Sequence, residues 1–295
     1  MTNFIPNVLT NQGATSGYID IPVKKGSTGK LYYEDSGNQA GVKGTLVCVP
    51  GIGDVRTSYR FIARSLVPKN YRVIITDLRG CGDSWEGFTE FTPEIVAEDI
   101  KTIIKQKNLG ENVVLVGNSL AAGSVLLAAS ENNTPVKGAI LLGPIMRDLP
   151  ADKYFRPVSH ILFSRMWCRF MWMSYYQTLY KRPTKPEGFE QHLSNIKDSF
   201  SKSNMGNSIG KFVRASKSNV ESHLETASIP TLAIYGDKDP DFSDVPAEKD
   251  LIQSKLKNSV HAESFILKEV GHYPHVEAFE DTQPLIESFL TKILN

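Results

Sequence analysis

The spacing of apolar and polar positions changes along the chain. GYIDIPV (17–23) and GKLYYEDSG (29–37) flank a Lys-Gly-Ser-Thr turn, the pattern of an antiparallel hairpin. After it, TLVCVPG (45–51), YRVIITDLRG (71–80), VVLVGNS (113–119), GAILLGP (138–144), PTLAIYGDKD (230–239) and SFILKEVGH (264–272) are nearly continuous apolar runs. Such runs suit strands buried on both faces, which have no solvated side on which to carry polar residues. Helical spacing lies between most of them. Segment 92–107 opens with Thr-Pro, an N-cap and first-turn pair, and carries Ile95, Val96, Ile100, Ile103 and Ile104 at helical intervals. Further helices are expected from 120 to about 130, from 247 to about 257, and from 280 to the C-terminus. This alternation predicts an α/β protein: a mostly parallel central sheet with helices on both faces and the hairpin as an antiparallel edge.

The regularity fails between 145 and 229, an interval too long for one crossover. Within it, HILFSRMWCRFMWMSYY (160–176) reads as a helix with Leu162, Phe163, Met166, Trp167, Phe170 and Met171 on one stripe and Ser164, Arg165, Cys168 and Arg169 on the other. The expectation is a helical cap or lid at 145–229 inserted into a core made of 1–144 and 230–295. The stripe packs the insertion onto the body or walls an apolar pocket, and both roles can be shared among its residues.

Composition narrows the partners. The 33 basic residues against 32 acidic ones, with no basic stripe, point away from nucleic acid. Cys48, Cys81 and Cys168 are odd in number, far apart and in no C-x-x-C pair, so neither a disulfide framework nor a metal site is expected, and a reducing compartment fits. MTNFIPNVLTNQG has no basic stretch leading into an apolar one, and no run reaches the roughly 18 apolar residues of a membrane span. The reading is therefore cytoplasmic. Gly51-Ile52-Gly53 lacks the third glycine and the acid of a dinucleotide site, so no cofactor is expected. The expected partner is a small-molecule substrate, and the chain is read as a monomer or a homodimer.

At the joint of a strand and a helix stand Gly117-Asn118-Ser119-Leu120-Ala121, in the order small, any, nucleophile, any, small. Alone, this is equally a strand-to-helix turn with Ser119 as N-cap. Other residues weigh in the nucleophile's favour. A serine hydroxyl needs a base, usually a histidine held by a carboxylate. His272 follows the last apolar strand at the same carboxyl edge as Ser119, with His275 as a rival base, and Asp237 and Asp239 follow the strand before it. The chain order Ser, Asp, His is the one expected for this arrangement.

Four pieces, GNSLA, DLRGCGDS (77–84), GDKDP (236–240) and GHYPHVE (271–277), together resemble the α/β-hydrolase superfamily over nearly all of the chain. The resemblance implies Ser119 as nucleophile, His272 as general base and Asp239 as orienting acid, preferred over Asp237, with Asp148 as fallback. It further implies an oxyanion hole from the N–H groups of Leu120 and Ile52. The substrate pocket is expected at Gly51, with Trp167 and Met171 of the apolar stripe as its wall. DLRGCGDS is read as a structural turn. Serine at the elbow speaks against dehalogenases and epoxide hydrolases, which attack with aspartate. What is implied is acyl transfer to water: hydrolysis of a carboxylic ester, lactone or thioester. A carbon-carbon bond hydrolase ranks second. A ligand receptor that keeps the fold is the other-class alternative, told apart by near-stoichiometric turnover of aryl esters.

Overall fold

The computed structural model describes residues 3–130, 134–150, 152–163, 167–203 and 205–294. Strands β1 (Thr15–Pro22) and β2 (Thr28–Asp35) pair antiparallel from Thr15 with Asp35 to Pro22 with Thr28, the expected hairpin. β3 (Gly44–Val49), α1 (Arg60–Leu66), β4 (Tyr71–Thr76), α2 (Pro93–Gln106), β5 (Val113–Asn118), α3 (Leu120–Ala129) and β6 (Val136–Leu142) follow. Five helices then intervene: α4 (Asp152–Leu162), α5 (Cys168–Thr178), α6 (Phe189–Lys202), α7 (Met205–Arg214) and α8 (Ser218–Leu224). The chain closes with β7 (Thr231–Gly236), α9 (Val245–Lys255), β8 (Ala262–Leu267), α10 (Pro274–Glu277) and α11 (Phe279–Leu294).

The strands form one sheet in the order β1-β2-β4-β3-β5-β6-β7-β8. β2 joins β4 antiparallel, and every later pairing is parallel. The apolar runs explain this placement, because β3, β5 and β7 are buried at every residue. Along β5 the pleat sends Val113 and Leu115 into the core under α2 and α3, and Val114 and Val116 into the core under α1 and α11. The Thr-Pro start of α2 is realised: Thr92 Oγ1 accepts the Ile95 N–H at 3.4 Å, with Pro93 in the first turn.

Three features differ from the sequence reading. β8, whose apolar run suited a strand buried on both faces, is an edge strand with no fully buried residue. The helix expected over 160–176 is two helices, with α4 ending at Leu162 and α5 starting at Cys168. The helix α1, too short to show a periodic stripe, was not anticipated.

The turn DLRGCGDS is pinned by a buried cation. Arg56, fully buried, donates from Nε to Glu34 (2.6 Å), from Nη1 to Asp77 (2.6 Å) and Asp83 (2.9 Å), and from Nη2 to the Ile5 carbonyl (2.7 Å). Burial pushes the Asp77 carboxyl up to about 6, against the pull of Arg56. The turn is thus structural, and it stands beneath the loop that follows β3.

Candidate active site

Parallel order puts the carboxyl ends of β3, β5, β6 and β7 side by side, so the loops leaving them meet. Ser119, between β5 and α3, has φ 57° and ψ −127°, a conformation an L-residue adopts only when its surroundings impose it. They do so on two sides. The Ser119 N–H donates to the Leu142 carbonyl at 2.9 Å, and a side chain on Gly51 would stand 2.7 Å from the Ser119 Cβ. Only glycine fits there, which is why the loop after β3 can run against the serine. Leu120 opens α3, so its N–H has no intrahelical acceptor.

His272 comes to the same place from the loop after β8. Asn118 Nδ2 bridges the Leu142 carbonyl (2.9 Å) and the His272 carbonyl (3.3 Å), tying the elbow to the histidine loop. On the ring, Nδ1 lies 2.7 Å from Asp239 Oδ2 and 3.4 Å from Asp241 Oδ2. Burial alone would lower the basicity of His272. The Asp239 and Asp241 charges, the bond to Asp239 and the more distant Asp54 outweigh it and raise the imidazole to about 9. These three side chains bring one donor atom each within 4.8 Å of one another, the one such group of His, Cys, Asp or Glu side chains found among the described residues. Since Nδ1 already holds the Asp239 carboxylate, the group reads as a clamped imidazole.

The other acid and base candidates are elsewhere. Asp237 accepts the Val270 N–H at 3.4 Å. Asp148 is held by Arg156, Ser216 and the Lys217 N–H at the base of the helical insertion. His275 is buried and stacked on Tyr59 at 5.1 Å, with no hydrogen-bond partner at either ring nitrogen among the described residues. Burial depresses it to about 3, so it stays neutral.

The insertion closes over these loops through residues the sequence did not single out. Trp172 donates from Nε1 to the Gly53 carbonyl at 3.0 Å, and any side chain at Gly53 would collide with its indole. Tyr176 and His192 reach Asp54, at 3.2 and 3.0 Å. Leu179, after α5, accepts the His272 N–H at 2.9 Å, while Glu277 accepts N–H groups from Gly271, Lys181 and Arg182. Of the expected apolar stripe, Trp167 is 52% exposed and Phe170 66% exposed, Met171 is half-buried, and Phe163 meets the Trp172 ring edge-on at 6.1 Å. Met166 lies outside the described residues. Ile52 is partly buried in the loop after β3. A cleft of about 490 Å³ lies apart from the serine, between the N-terminal segment, α1 and α6, where Leu9, Arg60 and Gln191 line it.

A family model described as the alpha/beta hydrolase fold matches residues 44–167. Lipase 1 of Psychrobacter immobilis is 25% identical over 283 residues, covering 92% of this chain and 84% of its own. Lipase 3 of Moraxella sp. (strain TA144) is 24% identical over 276 residues, covering 89% and 82%. Among solved structures, a thermophilic esterase from Thermogutta terrifontis superposes with a TM-score of 0.73 at 21% identity, over 95% of this chain and 100% of that one. The sheet order, the elbow and these similarities define the class by its fold: the chain has the α/β-hydrolase fold.

Proposed function

We propose that the protein is a serine hydrolase acting on a small to medium, largely apolar carboxylic ester, lactone or thioester. The observation that carries this reading is the strained Ser119, on an elbow that Asn118 ties to the His272 loop, together with a His272–Asp239 pair joined at 2.7 Å. The similarity to two lipases supports the ester as the scissile group.

In this mechanism the Ser119 hydroxyl attacks the substrate carbonyl while its proton passes to His272 Nε2. The oxyanion is stabilised by the N–H groups of Leu120 and Ile52, fixed donors that need no reorganisation as charge develops. The intermediate collapses, the alcohol or thiol leaves with the proton from His272, and an acyl ester remains on Ser119. Water, deprotonated by His272, attacks that ester and releases the acid. Asp239 holds the imidazole tautomer and stabilises the imidazolium formed in both steps. Residues 145–229 act as a cap on the core, with Gly51 and Met171 near the substrate and Trp167 at the rim.

The reading is tested by treating the protein with an aryl phosphonate and mapping the adduct by mass spectrometry. One phosphonyl group on the peptide carrying Ser119 supports it, and labelling elsewhere or none overturns it. Asp239→Asn is expected to lower kcat by roughly 10³- to 10⁴-fold, because the amide favours the wrong tautomer. Asp237→Asn and Asp148→Asn, made and assayed in parallel, should each cost less than tenfold.

An apolar cap also predicts a chain-length preference. Each buried methylene contributes about 0.8 kcal/mol, so two or three added carbons should raise kcat/KM by roughly ten- to fiftyfold until the pocket is full. Rates on a series of aryl esters measure this. Replacing Trp167 and Met171 with Ala should flatten the series more than it lowers Tm; a parent series that is already flat assigns the stripe to packing.

A further inference from the structure

The orienting carboxylate of such a pair is ordinarily single, yet His272 here meets two. Asp241 Oδ2 lies 3.4 Å from Nδ1, and the Asp241 N–H donates to the Asp239 Oδ1 at 3.0 Å, locking the two acids into one turn. The far oxygen of Asp241, Oδ1, accepts the hydroxyl of Tyr175, which belongs to α5 of the insertion. A path of three side chains therefore runs from the insertion through Asp241 to the ring.

We propose that Asp241 is a second positioning carboxylate for His272, held in place by Tyr175, so that the docked insertion sets how basic the histidine is. This rests on the reading of His272 as the general base. Asp239 alone suffices to orient the ring. A second negative charge acts on the ring's protonation, because it favours imidazolium before the reaction as well as during it. The other groups around the ring leave this balance acidic: Asp54 from the loop after β3 adds to it, and the Tyr273 ring presents edge-to-face at 5.3 Å. Burial, with the Asp239 charge, raises the Asp241 carboxyl above its ordinary value, while His272, Tyr175 and, from before α8, Lys217 pull the other way and favour its charged form. His275 stays neutral.

The sign follows. Only neutral His272 can take the serine proton, so activity should rise with pH through the ring's titration, near 9, well above the usual histidine range. Removing the Asp241 charge should move that limb toward neutrality and speed the reaction at pH 7.

The test is an NMR titration of the His272 ring in the parent, Asp241→Asn and Tyr175→Phe, beside the pH dependence of kcat/KM on an aryl ester. Asp241→Asn is isosteric and should shift both midpoints down by about one unit or more, raising kcat/KM at pH 7 by about tenfold per unit. Tyr175→Phe should shift them the same way by less, since Asp241 loses a donor that favours its charge. An Asp241→Asn ring midpoint equal to the parent's overturns the proposal. A Tyr175→Phe midpoint equal to the parent's overturns the insertion's part in it. A ring that shifts while the kinetic profile stays put overturns the general-base reading of His272 and leaves the second carboxylate standing.

Discussion

Ser119→Ala is expected to lower turnover of an aryl ester by roughly 10⁴- to 10⁶-fold, since a nucleophile and its base act as a unit and losing either forfeits most of the acceleration. Folding should be almost untouched. The hydroxyl is replaced by hydrogen on a residue whose backbone is held by the Leu142 carbonyl and the close approach of Gly51, and both remain. Tm within about two degrees of the parent, with activity at the uncatalysed level, is the expected pair of results. Loss of less than tenfold would return Ser119 to a turn residue and N-cap. A parent that releases only about one equivalent of alcohol would favour a receptor that retains the fold.

The second large effect concerns stability. Arg56→Met should lower the unfolding free energy by about 3–5 kcal/mol, because it strands the buried carboxylates of Glu34, Asp77 and Asp83 without their shared cation. Against a typical total of about 5–15 kcal/mol this is a large share, and thermal melts should show Tm lower by about 5–15 °C. The deficit should shrink with acid. Burial holds the parent's Asp77 up to about 6, and losing the guanidinium pushes it higher, so between about 6 and that higher midpoint the variant carries a neutral acid where the parent carries a charge-compensated one. A variant melting with the parent at pH 8 would mean that the three acids find other compensation.

The central sheet was legible because strands buried on both faces must be apolar throughout, and β3, β5 and β7 fall within the expected runs. Ser119 and the His272–Asp239 pair were legible because each sits at the carboxyl end of such a strand. The insertion was less so. Its apolar stripe was drawn along one helix, but α4 ends at Leu162 and α5 starts at Cys168, and Trp167 and Phe170 are exposed. Trp172, the indole that does reach the core, meets Gly53 across 119 positions, and no local period encodes such a contact. Asp241 was overlooked for a similar reason. It follows Pro240 in what reads as a polar turn, and its partners, Tyr175 and His272, are distant in sequence. Glu277 was on view in GHYPHVE, yet its bonds to Lys181 and Arg182 depend on where the insertion leaves α5.

The bridge from Asn118 to His272 spans 154 positions, whereas the His272–Asp239 pair spans 33. His272 and Asp239 can therefore meet within a local β7–β8 unit, while the Asn118 bridge to the His272 loop is among the last contacts to close. On a ribosome adding roughly 5–20 residues per second, Ser119 precedes His272 by about eight to thirty seconds. On the proposed function, the emerging chain carries throughout that interval a nucleophile with no base.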